Sequence, residues 1–230
     1  VPEPEVMDDS SEVEAYSSAA AQAFLNKIDD TFVDHALRLV RAQASRGERG
    51  SALDIGCGPG QIVLNLAQRS PGWRFAGMDR SANMVRRAIA ARDELARRTG
   101  EDLAARVQFS VADGCKLLLP DGSLDLVLCN SVLHHLDQPG RLFAEIARVA
   151  SPTGAILLRD LQRPSRLKYP LHVRWHGRHY SGLMYKLYCD SVRAAYTPEE
   201  LAGLLRASPL RDTRLFTLGR THLGFERPAG

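Results

Sequence analysis

The run Leu53-Asp54-Ile55-Gly56-Cys57-Gly58-Pro59-Gly60 sets three glycines at alternate positions behind an acid. Glycine turns tightly and lets a ligand approach the backbone with no Cβ in the way, so the run reads as a loop for a nucleotide-containing ligand. A dinucleotide fingerprint would space its glycines G-x-G-x-x-G, and a phosphate loop would end in Gly-Lys-Ser/Thr; neither is present. An acid at the loop suits a cationic group, an amine or a sulfonium, better than a phosphate. Asp79 closes the next apolar run, where an acid can accept both hydroxyls of a ribose. Asp113, in Ala112-Asp113-Gly114, can accept the exocyclic amine of adenine.

A second set of candidates could move a proton. His134 and His135 lie in Asn130-Ser131-Val132-Leu133-His134-His135-Leu136-Asp137, and an imidazole titrates near neutral pH. Either can serve as a general base, or can be a buried side chain that only bonds the backbone. Asp160 ends a later apolar run, opposite that loop; its competing reading is a salt bridge to an arginine of the segment Gln162 to Cys189. Tyr16, Arg163, Tyr180, Tyr196 and His222 are candidate substrate contacts. His172, His176 and His179 are spaced four and three apart, hence on one helix face, where three imidazoles can hold a metal. With Arg174 and Arg178 beside them and no carboxylate close in sequence, that face reads as solvated and basic, and no metal is expected. The four cysteines show no C-x-x-C spacing, so neither zinc nor a disulfide is expected.

These residues need a scaffold that brings them to one edge. Short apolar runs alternate with longer helical patterns, the mark of β-α-β units and a parallel sheet. Strands are expected at Ser51 to Ile55, Trp73 to Met78, Val107 to Val111, Leu124 to Cys129 and Ala155 to Arg159, with Gly154 marking the turn into the last. Helices are expected at Gln61 to Arg69, Asn83 to Arg98 and Arg141 to Ala150. The three acids then fall at strand C-terminal ends, the edge where open α/β sheets bind ligands. Glu12 to Arg46 spaces Ile28, Phe32, Val33, Ala36, Leu37 and Val40 as an amphipathic helix. Gln162 to Cys189 carries Arg163, Arg166, Lys168, Arg174, Arg178 and Lys186 among five aromatic residues with no Asp or Glu, and reads as an inserted lid. Thr197-Pro198-Glu199-Glu200 opens a further helix with a capping box. Thr213 to Leu218 and Thr221 to Glu226 read as a hairpin about Gly219-Arg220. The organisation expected is a helical cap (1–46), a binding core (47–161), a basic, aromatic lid (162–196), and a last helix and hairpin completing the core (197–230).

Composition narrows the class. At 230 residues, 44% hydrophobic and 25% charged, the chain has an ordinary globular make-up. No apolar run approaches the roughly 18 residues of a membrane span, and the acidic first residues lack a secretory pattern, so a cytoplasmic protein is expected, as a monomer or homodimer. A net charge of +3 is too slight to require nucleic acid.

Asp54-Ile55-Gly56-Cys57-Gly58-Pro59-Gly60, Asp79, Asp113-Gly114 and Asn130-Ser131-Val132-Leu133-His134-His135-Leu136 together resemble the class I S-adenosylmethionine-dependent methyltransferases. Within that family the likeness is to the small-molecule branch that includes the ubiquinone and menaquinone C-methyltransferases. It implies a Rossmann-like, doubly wound α/β sheet of seven strands, five parallel plus a C-terminal hairpin, with helices on both faces and a helical lid. The cofactor implied is S-adenosylmethionine, leaving S-adenosylhomocysteine as product. By this resemblance Gly56, Gly58 and Gly60 wrap the methionine part, Asp54 holds its amine, Asp79 takes the ribose and Asp113 the adenine. Cys57, Met84, Ala112, Gly114, Asn130, Ser131 and His135 complete the cofactor set. Arg80 departs from the apolar residue usual after the ribose acid and can stack on adenine through its flat guanidinium. The prolines and aromatic of the base-amine methylases are missing after Asn130, which disfavours that chemistry. Asp160-Leu161-Gln162-Arg163-Pro164 and Asp190 to Thr197 resemble segments of a bacterial branch of the same family. The function expected is methyl transfer to a small-molecule acceptor by in-line displacement, with His134, His135 and Asp160 as catalytic candidates. The competing readings are action on RNA or another polyanion through the lid, and a degenerate fold that binds cofactor for regulation.

Overall fold

The computed structural model describes residues 19–43 and 49–230; Tyr16 and the start of the expected cap lie outside the described residues. The chain runs α1 (Ala19–Gln43), β1 (Gly50–Ile55), α2 (Gln61–Arg69), β2 (Trp73–Asp79), α3 (Ala82–Thr99), β3 (Val107–Val111), β4 (Leu124–Asn130), α4 (Pro139–Val149) and β5 (Ala150–Leu161). It continues through α5 (Tyr169–His176), α6 (Gly182–Ala194), α7 (Pro198–Arg206), β6 (Arg214–Leu218) and β7 (His222–Arg227). The strands form one sheet in the order β3-β2-β1-β4-β5-β7-β6. The first five are parallel, and β7 pairs antiparallel with both β5 and β6. This is the Rossmann-like seven-stranded sheet expected.

Strand periodicity divides the core in two. Ala52, Leu126, Leu128, Ala155 and Leu157 pack beneath α1, α2 and α3 against Phe32, Leu37, Leu66 and Val85. Their neighbours Leu53, Val127, Ile156 and Leu158 face α4 and α7, against Leu142, Phe143, Ile146 and Leu201. With both faces covered the strands read as near-continuous apolar runs. A full burial of one such Leu or Phe contributes roughly 1.5–3 kcal/mol. Phe143 and Phe225 meet edge to face with ring centres 5.4 Å apart, tying α4 to β7.

Local signals explain the connections. Ser81 caps α3 by accepting from the Met84 amide, and left-handed Gly100 ends that helix. Thr197 and Glu200 form the reciprocal capping box of α7. Two expectations shift. β5 begins at Ala150, not Ala155, because Leu124 pairs with Ala150 and Leu126 with Ala155. Gly154 therefore sits in a bulge inside the strand, where a Cβ would lie 2.7 Å from the Leu124 carbonyl oxygen. His172, His176 and His179 do not share a solvated face: His172 is buried, its ring 4.6 Å from His176, while His179 belongs to a separate turn, Gly177–His179. Among the described residues no group of three or more His, Cys, Asp or Glu is arranged to hold a metal ion. No described helix is long and apolar enough to cross a membrane.

The segment between β5 and α7 stands over the sheet's C-terminal edge. α1 packs on the Gly177–His179 turn, and α6 packs on the short turn Leu133–His135 that follows β4.

Candidate active site

The glycine run leaves β1 with Gly56, Gly58 and Gly60 all at positive φ, at 74°, 51° and 87°. The amides of Gly56 and Cys57 both donate to the Met78 carbonyl oxygen, at 2.7 and 3.0 Å. The Gly58 amide donates to Asp79 Oδ2 at 2.9 Å, and Asp79 Oδ1 accepts from the Ser81 amide at 2.8 Å. Asp79 thus orders the loop and the start of α3 together. A Cβ on Gly56 would strike Val132 Cγ2 at 2.2 Å, whereas one on Gly58 would meet nothing within 4 Å. Gly58 therefore faces the space where a ligand can approach the backbone.

Under the loop lies Asp54, buried, with neither carboxylate oxygen hydrogen-bonded among the described residues. Burial, and then the negative charges of Asp29 and Asp79, push its carboxyl from 3.8 up to about 8. A buried carboxyl with no partner is costly unless a cation or donor meets it.

Asp29, on α1, escaped the sequence reading. Burial pushes its carboxyl up to about 6 against the opposing pull of Arg159. It accepts from Asn130 Nδ2 at 3.3 Å and lies 3.8 Å from Arg159 Nη2. Arg159 is the hub: Nε donates to Asn130 Oδ1 at 2.9 Å, and Nη1 donates to the Ile28 carbonyl oxygen and to Thr31 Oγ1. Its guanidinium stands 4.9 Å from the Phe32 ring centre. A lone arginine at the end of Ile156-Leu157-Leu158 was the available signal, because a buried cation must find acceptors somewhere.

On the other face of β5 is Asp160, also buried. Its Oδ1 pairs with His134 Nδ1 at 2.6 Å and accepts from the Leu161 amide at 2.6 Å; its Oδ2 accepts from the His134 amide at 3.3 Å. Burial alone would raise its carboxyl, but its electrostatic pairing with His134, the His134 hydrogen bond and the Leu161 amide hold it below the usual range. The strand leads into this turn through Ser131, at φ 59° the one non-glycine residue with positive φ among those described, its amide bonded to the Arg159 carbonyl oxygen. A left-handed serine where β4 ends is local strain of the kind that collects at functional sites. The rings of His134 and His135 lie 4.1 Å apart.

Residues 53–158 match a family described as a methyltransferase domain. Over those residues, a little under half of the chain, the protein is similar to methyltransferases. It is 26% identical over 215 residues to a demethylmenaquinone methyltransferase of Deinococcus radiodurans, covering 88% of this chain and 86% of that one. It is 36% identical over 138 residues to an uncharacterized 37.1 kDa protein in a Streptomyces fradiae transposon, covering 59% of this chain and 37% of that protein. The chain spans only about two fifths of the length of several curated relatives it matches, at 37%, 39% and 40%. In fold it is similar to the plantazolicin methyltransferase BpumL, with a TM-score of 0.64 at 15% identity, covering 94% and 93% of the two chains.

The residues at this edge fit S-adenosylmethionine, the cofactor that the sequence resemblance implies. The Asp54 carboxyl beneath the loop, unpartnered among the described residues, meets the need of a cationic ammonium group, and open Gly58 leaves room beside it. Asp79 lies at the end of β2, exposed Arg80 follows it, and Met84 is buried in the first turn of α3. Asp113 is exposed beyond β3 and accepts from the Cys115 amide at 2.9 Å, in a turn with Ala112 and Gly114.

Other expected site residues are placed differently. Arg163 turns aside and pairs with Glu200 at the head of α7, because that helix start presents the only acid it meets among the described residues. Asp160 is 0% exposed and reaches the edge only through His134. Tyr180 and Tyr188 lie between β5 and α7 with tilted rings, their centres 5.2 Å apart; burial, and for Tyr180 the Asp29 charge, hold both phenols above their usual range, Tyr180 at about 12. The Tyr196 phenol is likewise raised, by burial and then by Asp160. His222 lies opposite Leu161 in β7, its imidazole driven to about 4 by burial and then by Arg159.

Proposed function

We propose that the chain transfers a methyl group to a small-molecule acceptor by in-line displacement, with His134 receiving the acceptor's proton and Asp160 acting as its positioning residue. The observation that carries this reading is the 2.6 Å bond between His134 Nδ1 and buried Asp160. An ionised Asp160 holds the proton on Nδ1 and puts the basic lone pair on Nε2, the arrangement a general base requires. When bound, S-adenosylmethionine supplies a methyl group on a sulfonium, already a good leaving group. The remaining work is alignment and exclusion of water.

Asp54 receives the ammonium, Gly58 gives backbone access, and Asp79 offers its carboxylate to the ribose. Asp113 and Arg80 are assigned to the adenine. We read α1 and residues 162–196 as the cap over the acceptor, with Tyr180 and Tyr196 as its aromatic walls and His222 behind them. The relative named for demethylmenaquinone supports an acceptor of small-molecule size. A base in this place favours an acceptor that is protonated at neutral pH, such as a phenol, quinol or thiol.

A screen of phenols, quinols, thiols and amines for release of S-adenosylhomocysteine tests this. Turnover with a protonated acceptor, lost in His134→Ala with cofactor binding retained, is the expected result. Undiminished turnover in that variant would remove His134 from the chemistry.

A further inference from the structure

Leu167, Leu171 and Trp175 recur every four residues along α5 and the turn leading into it, so they share one side. They are 96%, 70% and 61% exposed. The opposite side, Tyr169, His172, Val173 and His176, turns inward, with His172 and Val173 buried. Single exposed leucines are common, but three large apolar side chains in a row form a patch. Lys168, Arg174 and Arg178 are exposed on the same side, and the Arg178 guanidinium lies 4.7 Å from the Trp175 ring centre. Between Gln162 and Cys189 there is no Asp or Glu. Of the cations in that stretch only Arg163 has a carboxylate partner among the described residues.

We propose that this face of α5 docks on an anionic lipid surface. Leu167, Leu171 and Trp175 enter the boundary between headgroups and acyl chains, while Lys168, Arg174 and Arg178 meet lipid phosphates. A helix with an apolar row, a flanking set of cations and a tryptophan is the composition that lies in a membrane interface. Charge complementarity selects the occupant. A second copy of the chain would set these cations against one another, and single-stranded nucleic acid would call for aromatic platforms where this row has leucines. The contact is reversible, since one short helix buries little area.

Flotation of the full chain with phosphatidylcholine vesicles, with and without phosphatidylglycerol, tests the proposal alongside tryptophan emission. The chain has 2 tryptophans, and Trp73 is buried, so a vesicle-induced blue shift reports Trp175. Flotation and a blue shift with anionic vesicles, weakening as salt is raised, are expected. The variant Leu167→Ser/Leu171→Ser/Trp175→Ser should lose at least about tenfold in partitioning with an unchanged melting temperature, since all three side chains point outward. Arg174→Glu/Arg178→Glu should lose about fivefold per cation removed while keeping Trp175. No flotation and no shift would overturn the proposal, and equal binding to neutral vesicles would overturn its anionic specificity. A dimer that the triple serine variant dissolves would assign the row to a second copy instead, as transfer RNA binding without flotation would assign it to nucleic acid.

Discussion

Arg159 and Asp160 are adjacent in the chain and serve opposite faces of the sheet: Arg159 lies against Phe32 and Asn130 beneath α1, and Asp160 lies against His134 above α4. The strand's period of two sends one buried charge to each face of the sheet. Helix α1 and the candidate base are therefore both anchored at the end of β5, through separate networks that separate substitutions can probe.

Removing the base's partner should affect turnover far more than cofactor binding. Asp160→Asn disturbs the His134 tautomer, and for an acceptor that must lose a proton kcat should fall about 10² to 10⁴-fold. Calorimetric affinity for S-adenosylhomocysteine should stay near that of the parent. An equal loss of both would reduce the pair to a structural one.

Asp54 should trade stability for binding. Its folded carboxyl, at about 8, lies above the usual 3.8, so the folded state holds the extra proton between those values and stability falls as pH rises through that window. Asp54→Asn escapes this loss. Its melting temperature should exceed that of the parent by a margin that grows from about pH 4 to about pH 8, while affinity for S-adenosylmethionine drops at least about tenfold. A margin independent of pH would show that the Asp54 carboxyl does not titrate as proposed.

Arg159 anchors α1, and its loss strands Asp29 in a buried site. Arg159→Ala should cost about 3–5 kcal/mol of unfolding free energy in urea, the range for breaking one side of a buried charge pair. Arg159→Lys should recover only part of it, because an ammonium cannot reproduce the fork that reaches Asn130, Ile28 and Thr31. Full stability in the lysine variant would argue against the geometry described.

The loop glycines should separate packing from binding. Gly56→Ala forces a Cβ onto Val132 and should destabilise the apo protein by several kcal/mol, since both overpacking and a left-handed alanine are penalised. Gly58→Ala meets no atom and should cost only about 1–2 kcal/mol, yet weaken the cofactor by narrowing its approach. Thermal melts with and without S-adenosylhomocysteine check both, and Gly58→Ala with parent-like affinity would move the ligand away from that glycine.

The glycine run, its flanking acids, the alternation of β4 and β5 and the Thr197 cap box are patterns of neighbouring residues. Backbone preference and side-chain period are local properties, so the sequence alone determined the sheet class, the strand ends where the three acids gather and the family likeness. Partners of buried charges are different. Arg159 bonds the Ile28 carbonyl oxygen 131 positions earlier, Asp29 joins the site from an otherwise ordinary helix turn, and Asp160 chooses His134. Arg163, expected beside a substrate, goes to Glu200, and His172, expected in solvent, is buried. Only the tertiary structure decided these. A desolvated ionic group takes whichever partner packing delivers, and packing is set by elements far apart in the chain.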